Sequence, residues 1–465
     1  MLWDHIIKNG TIVTSTEEYR ANIYIKDSKI AAITCEELEG EAREITDAEG
    51  KYIFSGFIDT HVHSRDKGGE HKEDFFHSTR AAAAGGITML FEMPNAIPAI
   101  WNKENFNQQV ENLSRKAHID FALWGLCLGD LNNHCLGELS EAGAIAFKFF
   151  WGYAIDKKTY QLVYNYKPGM RDDVLAPLSD GEVYKIFREV EKTGKCVAIH
   201  AENASLIETL SNEPELLDAN LGEYEKLVES RPGIAEEMVI QTAVSLAKKT
   251  KCRLHILHVS SKDGTDAIRR AQEKGLPITA ETCPHFLFLS TEDFNRVGPK
   301  MKAYPPVKYK EDQNGIWEGI QDRTITMVCS DHAPHTKEEK TGGLYEIPAG
   351  ICGVETLAPL MIGAVSEGKI TKNELASLLS ENPAKIFHLY PQKGSLQVGT
   401  DADITIVDFN ANMTIKEDEL HSKSKVTAFD GFKIKGKPVA TIVRGHTIMK
   451  DGQIIDEVKG KFVKG

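Results

Sequence analysis

Residues 57–94 read FIDTHVHSRDKGGEHKEDFFHSTRAAAAGGITMLFEMP. Two short apolar runs, 57–63 and 87–94, flank a helix-like stretch, FFHSTRAAAAGG, that stops at glycines. The same alternation continues to about residue 340, with further apolar runs at 119–126, 145–150, 196–201, 253–260, 278–284 and 326–331. Segments such as GTDAIRRAQEKG lie between them. Eight strands alternating with helices predict a parallel (β/α)8 TIM barrel. No run is decisive alone; the regular succession of eight carries the prediction.

The chain has 465 residues, whereas a barrel needs roughly 250, so a satellite is expected beside it. Both flanks supply candidates. Residues 1–50 hold the alternating stretches HIIKNGTIV and ANIYIKDSKIAAI, and the other end holds DADITIVDF and VATIVRGHTIMKDGQII. Each flank is short for an independent domain. Residues 1–50 and 391–465 are therefore expected to form one β-rich sandwich, with the barrel spanning 51–390. The insertion 155–180 follows the fourth run, where a barrel places active-site loops. It reads as a lid or as a solvated loop.

Composition narrows the partners. A net charge of −13, with 41% hydrophobic and 26% charged residues, is globular but repels phosphate backbones and anionic lipid. No nucleic acid or membrane partner is expected, since no apolar stretch reaches the 18 or so residues of a bilayer span. The start, MLWDHIIKNGTIV, shows no secretory pattern, and the eight cysteines are scattered without a CxxC pair. Both point to free thiols in a reducing, cytoplasmic setting.

The chemistry gathers at the strand ends. The first ends in Asp59-Thr60-His61-Val62-His63, and alternate residues share a strand face, so His61 and His63 can hold one ion together. The fifth run ends at His200, the sixth at His258 and the eighth at Asp331. Imidazole and carboxylate suit zinc and its neighbours. Lys148, inside the apolar stretch GAIAFKFFW, would be costly to bury charged. As a neutral amine it could add carbon dioxide and become an anionic carbamate able to bridge two cations. A lysine snorkelling to the barrel mouth is the other reading.

His61-Val62-His63, Phe147-Lys148, His200-Ala201-Glu202-Asn203, His258-Val259-Ser260-Ser261 and Ser330-Asp331-His332-Ala333-Pro334-His335, in this order, resemble the cyclic amidohydrolases. That group includes dihydroorotases, hydantoinases, dihydropyrimidinases and allantoinases. The resemblance runs nearly end to end, through ETCPH (281–285), NPAKIF (382–387) and GSLQVGTDAD (394–403). It implies two divalent ions, zinc being the expected metal. His61, His63 and Asp331 would hold one ion and His200 and His258 the other, with carboxylated Lys148 and a hydroxide between them. Asp331 would take the nucleophile's proton and return it to the leaving ring nitrogen. Tyr153 resembles the tyrosine with which hydantoinases donate to the developing oxyanion; packing at the barrel rim is the alternative. The family also implies a homo-oligomer, dimer or tetramer. His255 faces away from His258 and reads as structural, and His71 and His77 as surface residues.

Two features bear on the ring. Arg65, Asn95 and His335 match the dihydroorotase residues that grip a substrate carboxylate, good physics for an Arg fork. They predict a carboxylate-bearing ring of dihydroorotate type. The FKFFWGY context, the insertion and the length resemble hydantoinases and allantoinases instead, which keeps a neutral hydantoin-type ring as the alternative. The full set of ligand-type residues argues against a non-catalytic scaffold relative. Neither GxGxxG, GxxxxGK[ST] nor HExxH occurs, so nucleotide cofactors and zincin chemistry find no support.

Overall fold

In the computed structural model, which describes residues 2–163, 173–455 and 457–465, eight short parallel strands form the expected barrel. They are Phe57–Val62, Ile87–Glu92, Asp120–Leu123 continued by Gly125–Leu126, Phe147–Phe150, Cys196–His200, Arg253–Ile256, Ile278–Thr282 and Met327–Val328. Each pairs with its successor, and a parallel bridge between Val62 and His332 closes the ring. Strands covered on both faces are apolar throughout, which is why they read as continuous runs. The strands stop short of those runs because residues at the barrel mouth are also buried. The eighth ends at Val328, and Cys329 and Ser330 turn inward, still buried.

Helices follow the strands as the pattern predicts. The first, Phe75–Ala84, starts where the Asp74 side chain accepts from His77 N and stops at Gly85. A Cβ at Gly85 would stand 2.7 Å from the Glu355 carbonyl, so the close approach there demands glycine. All eight cysteines are free, seven of them buried. No helix among the described residues is long and apolar enough to cross a membrane.

Both ends of the chain build the satellite. One sheet orders Lys29–Thr34, Asn22–Lys26, Leu2–Lys8 and Glu41–Asp47; a seven-stranded sheet joins Thr11–Val13 and Tyr52–Ser55 to Ile404–Thr414 and Lys433–Val443. Ile7, Ile23, Ile53, Ile404 and Ile442 fill the space between them.

Two segments cross the divisions expected at residues 50 and 390. Tyr52–Ser55 pairs with Ile404–Thr414 in the satellite. Residues 460–465 leave it and lie along the barrel: Lys461 O accepts from Phe121 N at 3.0 Å, and Val463 N donates to Phe121 O at 2.8 Å. The Phe462 ring packs against Phe106 and Phe121. An ionic cluster joins the units at the same place. Lys393 Nζ lies 2.5 Å from Asp120 and from Asp403 and 3.0 Å from Asp401, and the Arg444 guanidinium also meets Asp120.

Among the described residues, the insertion after the fourth strand carries short strands of its own. Ala154–Asp156 pairs antiparallel with Leu162–Val163 and Val174–Leu175, and Tyr160 stacks on Trp101 at 4.4 Å. Residues 164–172, the middle of the expected lid, lie outside the described residues.

Candidate active site

The C-terminal ends of the strands bring His61, His63 and Asp331 together. The turn that delivers Asp331 (φ 44°) is held by Ser330 N donating to Asp59 Oδ1 at 3.0 Å. Asp331 Oδ1 lies 3.3 Å from His61 Nε2 and 3.5 Å from His63 Nε2. One ligand atom from each of the three fits within 4.8 Å of the others, an arrangement able to hold a metal ion.

Buried partners aim the imidazoles. Glu281 Oε1 is 2.7 Å from His61 Nδ1, and its other oxygen accepts from Thr60 Oγ1 at 2.8 Å and faces His255 Nε2 at 3.3 Å. Burial pushes the Glu281 carboxyl up, but the hydrogen bonds and charges of His255 and His61 hold it well below the carboxylate range. An ionised carboxylate only accepts, so His61 Nδ1 carries a proton toward Glu281, which turns Nε2 to Asp331's side. Asn95 Oδ1 does the same for His63, 2.7 Å from Nδ1. On the fifth strand, His200 Nε2 meets Glu202 at 2.9 Å, leaving Nδ1 to face His258 Nε2 at 3.1 Å. Burial holds His63 down to about 4 and lowers His200 and His258. All three are neutral imidazoles at pH 7, the ligand form.

Lys148 does not snorkel. Its side chain is fully buried on the fourth strand, with no hydrogen-bond partner for Nζ among the described residues and the Phe150 ring 4.3 Å away. Burial drives the amine down to about 8, against the pull of Asp331 and Glu281. An orphaned amine beside a carboxylate and four imidazoles, three of them aimed by buried partners, fits a cation pair held partly by a carbamate.

At the mouth, the Tyr153 ring stands edge-on to His200, 5.0 Å between centroids. Nearby, the Arg231 guanidinium meets Glu202 and lies 3.7 Å over the Tyr304 ring. Arg65 and His335 come together, Nη2 3.4 Å from His335 Nε2. Arg65 Nε donates to Pro334 O at 3.2 Å, and His335 Nε2 is 3.0 Å from Ala349 O. Asn95 Oδ1 meets His63 Nδ1. His255 bonds Thr279 Oγ1 at 2.7 Å and faces Glu281, so it belongs to the buried network under His61. His77 pairs with its helix cap Asp74, and His71 is exposed.

Sequence reasoning passed over Glu281, Glu202, Arg231 and Tyr304. The two glutamates sit in the motifs ETCPH and HAEN, so a signal existed. Arg231, in ESRPG, lies in no recognised motif.

Comparison with known proteins agrees with this geometry. The family model described as the amidohydrolase family matches residues 52–448. The chain is 34% identical over 470 aligned residues to a protein named L-hydantoinase from Paenarthrobacter aurescens, covering 99% of this chain and 98% of that one. It is 33% identical to an allantoinase of Rubrobacter xylanophilus, covering 99% and 98%. The solved L-hydantoinase (dihydropyrimidinase) of Arthrobacter aurescens matches all of both chains with a TM-score of 0.91 at 33% identity. The chain therefore belongs to the amidohydrolase family, as a hydrolase of cyclic amides in its hydantoinase and allantoinase group.

Proposed function

We propose that the protein opens a neutral hydantoin-type ring, hydantoin or allantoin, using two divalent cations, zinc in the first instance. The observation that carries the chemistry is the convergence of His61, His63 and Asp331 beside the partnerless amine of Lys148. Two facts favour the neutral ring over the carboxylated one expected from Arg65, Asn95 and His335. The full-length relatives bear hydantoinase and allantoinase names. Arg65 Nε and His335 Nε2 are turned to loop carbonyls, Pro334 O and Ala349 O, and Asn95 Oδ1 orients His63.

His61, His63 and Asp331 would hold one cation and His200 and His258 the other, with Lys148 between them as its carbamate. When bound, the pair supplies a water acidified toward neutral pH and a polarised ring carbonyl. The protein's own groups move the proton. Burial pushes Asp331 up, but the neighbouring histidines keep it ionised, so its carboxylate accepts the proton of the attacking water. It then delivers that proton to the ring nitrogen as the C–N bond breaks, leaving a carboxylic acid, which ionises to solvent, and a ureido NH2. The Tyr153 phenol donates to the carbonyl oxygen as negative charge gathers there.

Ring opening of hydantoin, allantoin and dihydroorotate by protein prepared with zinc and bicarbonate, followed by ultraviolet absorbance, tests this reading. Turnover of hydantoin or allantoin well above dihydroorotate is expected. A preference for dihydroorotate that Arg65→Met abolishes would overturn it and reinstate the carboxylate grip.

A further inference from the structure

We propose that Glu236 and Lys308, joined through the Ser260 hydroxyl, are positioning residues that set the backbone turn carrying His258; this rests on the cation-binding role given to His258 above.

His258 differs from the other three imidazoles. Its Nε2 faces His200 Nδ1 at 3.1 Å, but its Nδ1 has no hydrogen-bond partner among the described residues. No side chain holds the ring by its second nitrogen, so its aim comes from its backbone. That backbone stands at φ 36°, a left-handed conformation that a non-glycine residue keeps only where its surroundings impose it.

The surroundings are specific. Leu257 N donates to Ile199 O at 3.2 Å and Val259 N to Glu281 O at 2.8 Å, tying the turn to strands on both sides. Just beyond, Ser260 N donates to Glu236 Oε1 at 3.0 Å, and Ser260 Oγ lies 3.1 Å from the same oxygen. Ser261 Oγ donates to Glu236 Oε2 and accepts from Gly264 N at 2.9 Å, capping the helix Lys262–Glu273. Glu236 reaches both serines from the first turn of the helix Gly233–Thr250. A Cβ at Gly264 would stand 2.6 Å from its Oε2, so the carboxylate comes this close only over a glycine. From the other side Lys308, which precedes the helix Lys310–Gln321, donates to Ser260 Oγ at 2.8 Å. The direction of this relay follows from chemistry. An ammonium has no acceptor, so the Ser260 oxygen accepts from Lys308 and gives its one proton to Glu236. All three residues are buried. Two elements outside the sixth strand thus grip the residue two places beyond His258, and neither needs to touch the cation.

Chelator competition on the zinc-loaded protein tests the idea, with ions bound per chain and kcat at limiting and saturating zinc measured on the same samples. The dissociation step that His258→Ala loses marks the second cation. Groups that orient a metal ligand from behind are worth about 10–100-fold in affinity. Ser260→Ala, Lys308→Met and Glu236→Gln, which puts an amide donor where the serines need an acceptor, should each weaken that step by about this factor. The step of the cation held by His61, His63 and Asp331 should change little, and saturating zinc should restore part of kcat. Ser260→Ala already cuts the link to Lys308, so adding Lys308→Met to it should weaken the step little further.

If the three variants hold the second ion as wild type does, or weaken both steps alike, the network does not act through His258. If Lys308→Met costs as much in the Ser260→Ala background as in wild type, Lys308 does not act through the hydroxyl. If His258→Ala keeps both ions, the ligand role of His258 fails instead. Should Lys308→Met or Glu236→Gln unfold alone, the double variant of the two, which buries no unpaired charge, serves in the same competition. A wild-type second step in that variant would overturn the proposal.

Discussion

Replacing Lys393 by methionine would separate the ionic cluster from everything else the residue does, because methionine keeps the apolar stem. The ammonium is shared by Asp120 and Asp403 at 2.5 Å and Asp401 at 3.0 Å. Side-chain exposure is 3% for Lys393 and 1%, 4% and 11% for Asp120, Asp403 and Asp401. After the substitution Arg444 still answers Asp120, and Lys29 still answers Asp401 at 2.6 Å. Asp403 keeps the backbone N–H of Arg444 at 2.8 Å but no cation. One buried carboxylate without its partner costs about 3–5 kcal/mol, a large share of the ~5–15 kcal/mol that holds a typical protein folded. Urea unfolding, with bound metal measured on the same samples, should show that loss with metal content unchanged, since the histidines lie at the other end of the strands. Adding Asp403→Asn removes the stranded charge and should recover part of the loss. A loss below about 1 kcal/mol, or a double variant less stable than Lys393→Met, would refute the reasoning.

Two further outcomes are expected. Glu281→Gln removes the charge that keeps His61 aimed and basic; such a change costs about 10–100-fold in metal affinity, and an equal affinity in a chelator competition would contradict the role given to Glu281. Glu73 is pushed up by burial to about 7, against hydrogen bonds from Ser422 and Lys423. Its protonated form therefore stabilises the fold fully below about pH 4.5, and that contribution is lost as pH rises to about 7, roughly 3 kcal/mol in all. Glu73→Gln stays neutral, so its stability relative to wild type should rise by about that amount between pH 4 and 8; a constant difference would show that Glu73 titrates normally in the fold.

The barrel was legible because its strands are buried on both faces and so appear as unbroken apolar runs. Where they stop was not, since Cys329 and Ser330 are as buried at the mouth as Val328 is in the strand. The metal-type residues announced themselves by residue type and order. What aims them did not: a glutamate in a motif looks the same whether it meets solvent or, like Glu281, sits between two imidazoles. Asn95 shows the limit most plainly. An amide can donate to a substrate carboxylate or accept from a histidine, and only the fold reveals that its oxygen meets His63 Nδ1. Arg231 draws its partners, Glu202 and Tyr304, from two loops far apart in the chain, so no local pattern could mark it. The Asp-Ala-Asp of GSLQVGTDAD, legible only as a resemblance, has a physical reason in the Lys393 cluster.

The docking of residues 460–465 beside the third strand bears on how the molecule can be built and rebuilt. Asp120 accepts from the backbone of Lys461, 341 residues further along the chain, and Gly460 sits so close that a Cβ would fall 1.9 Å from the Ile119 carbonyl oxygen. Contacts of such high sequence separation are entropically slow to form. They also mean that the barrel is not a cassette. Grafting it onto another satellite would strip the third strand of its companion and leave Asp120 a buried charge without Lys393 or Arg444, so the two units must be recombined, if at all, as one.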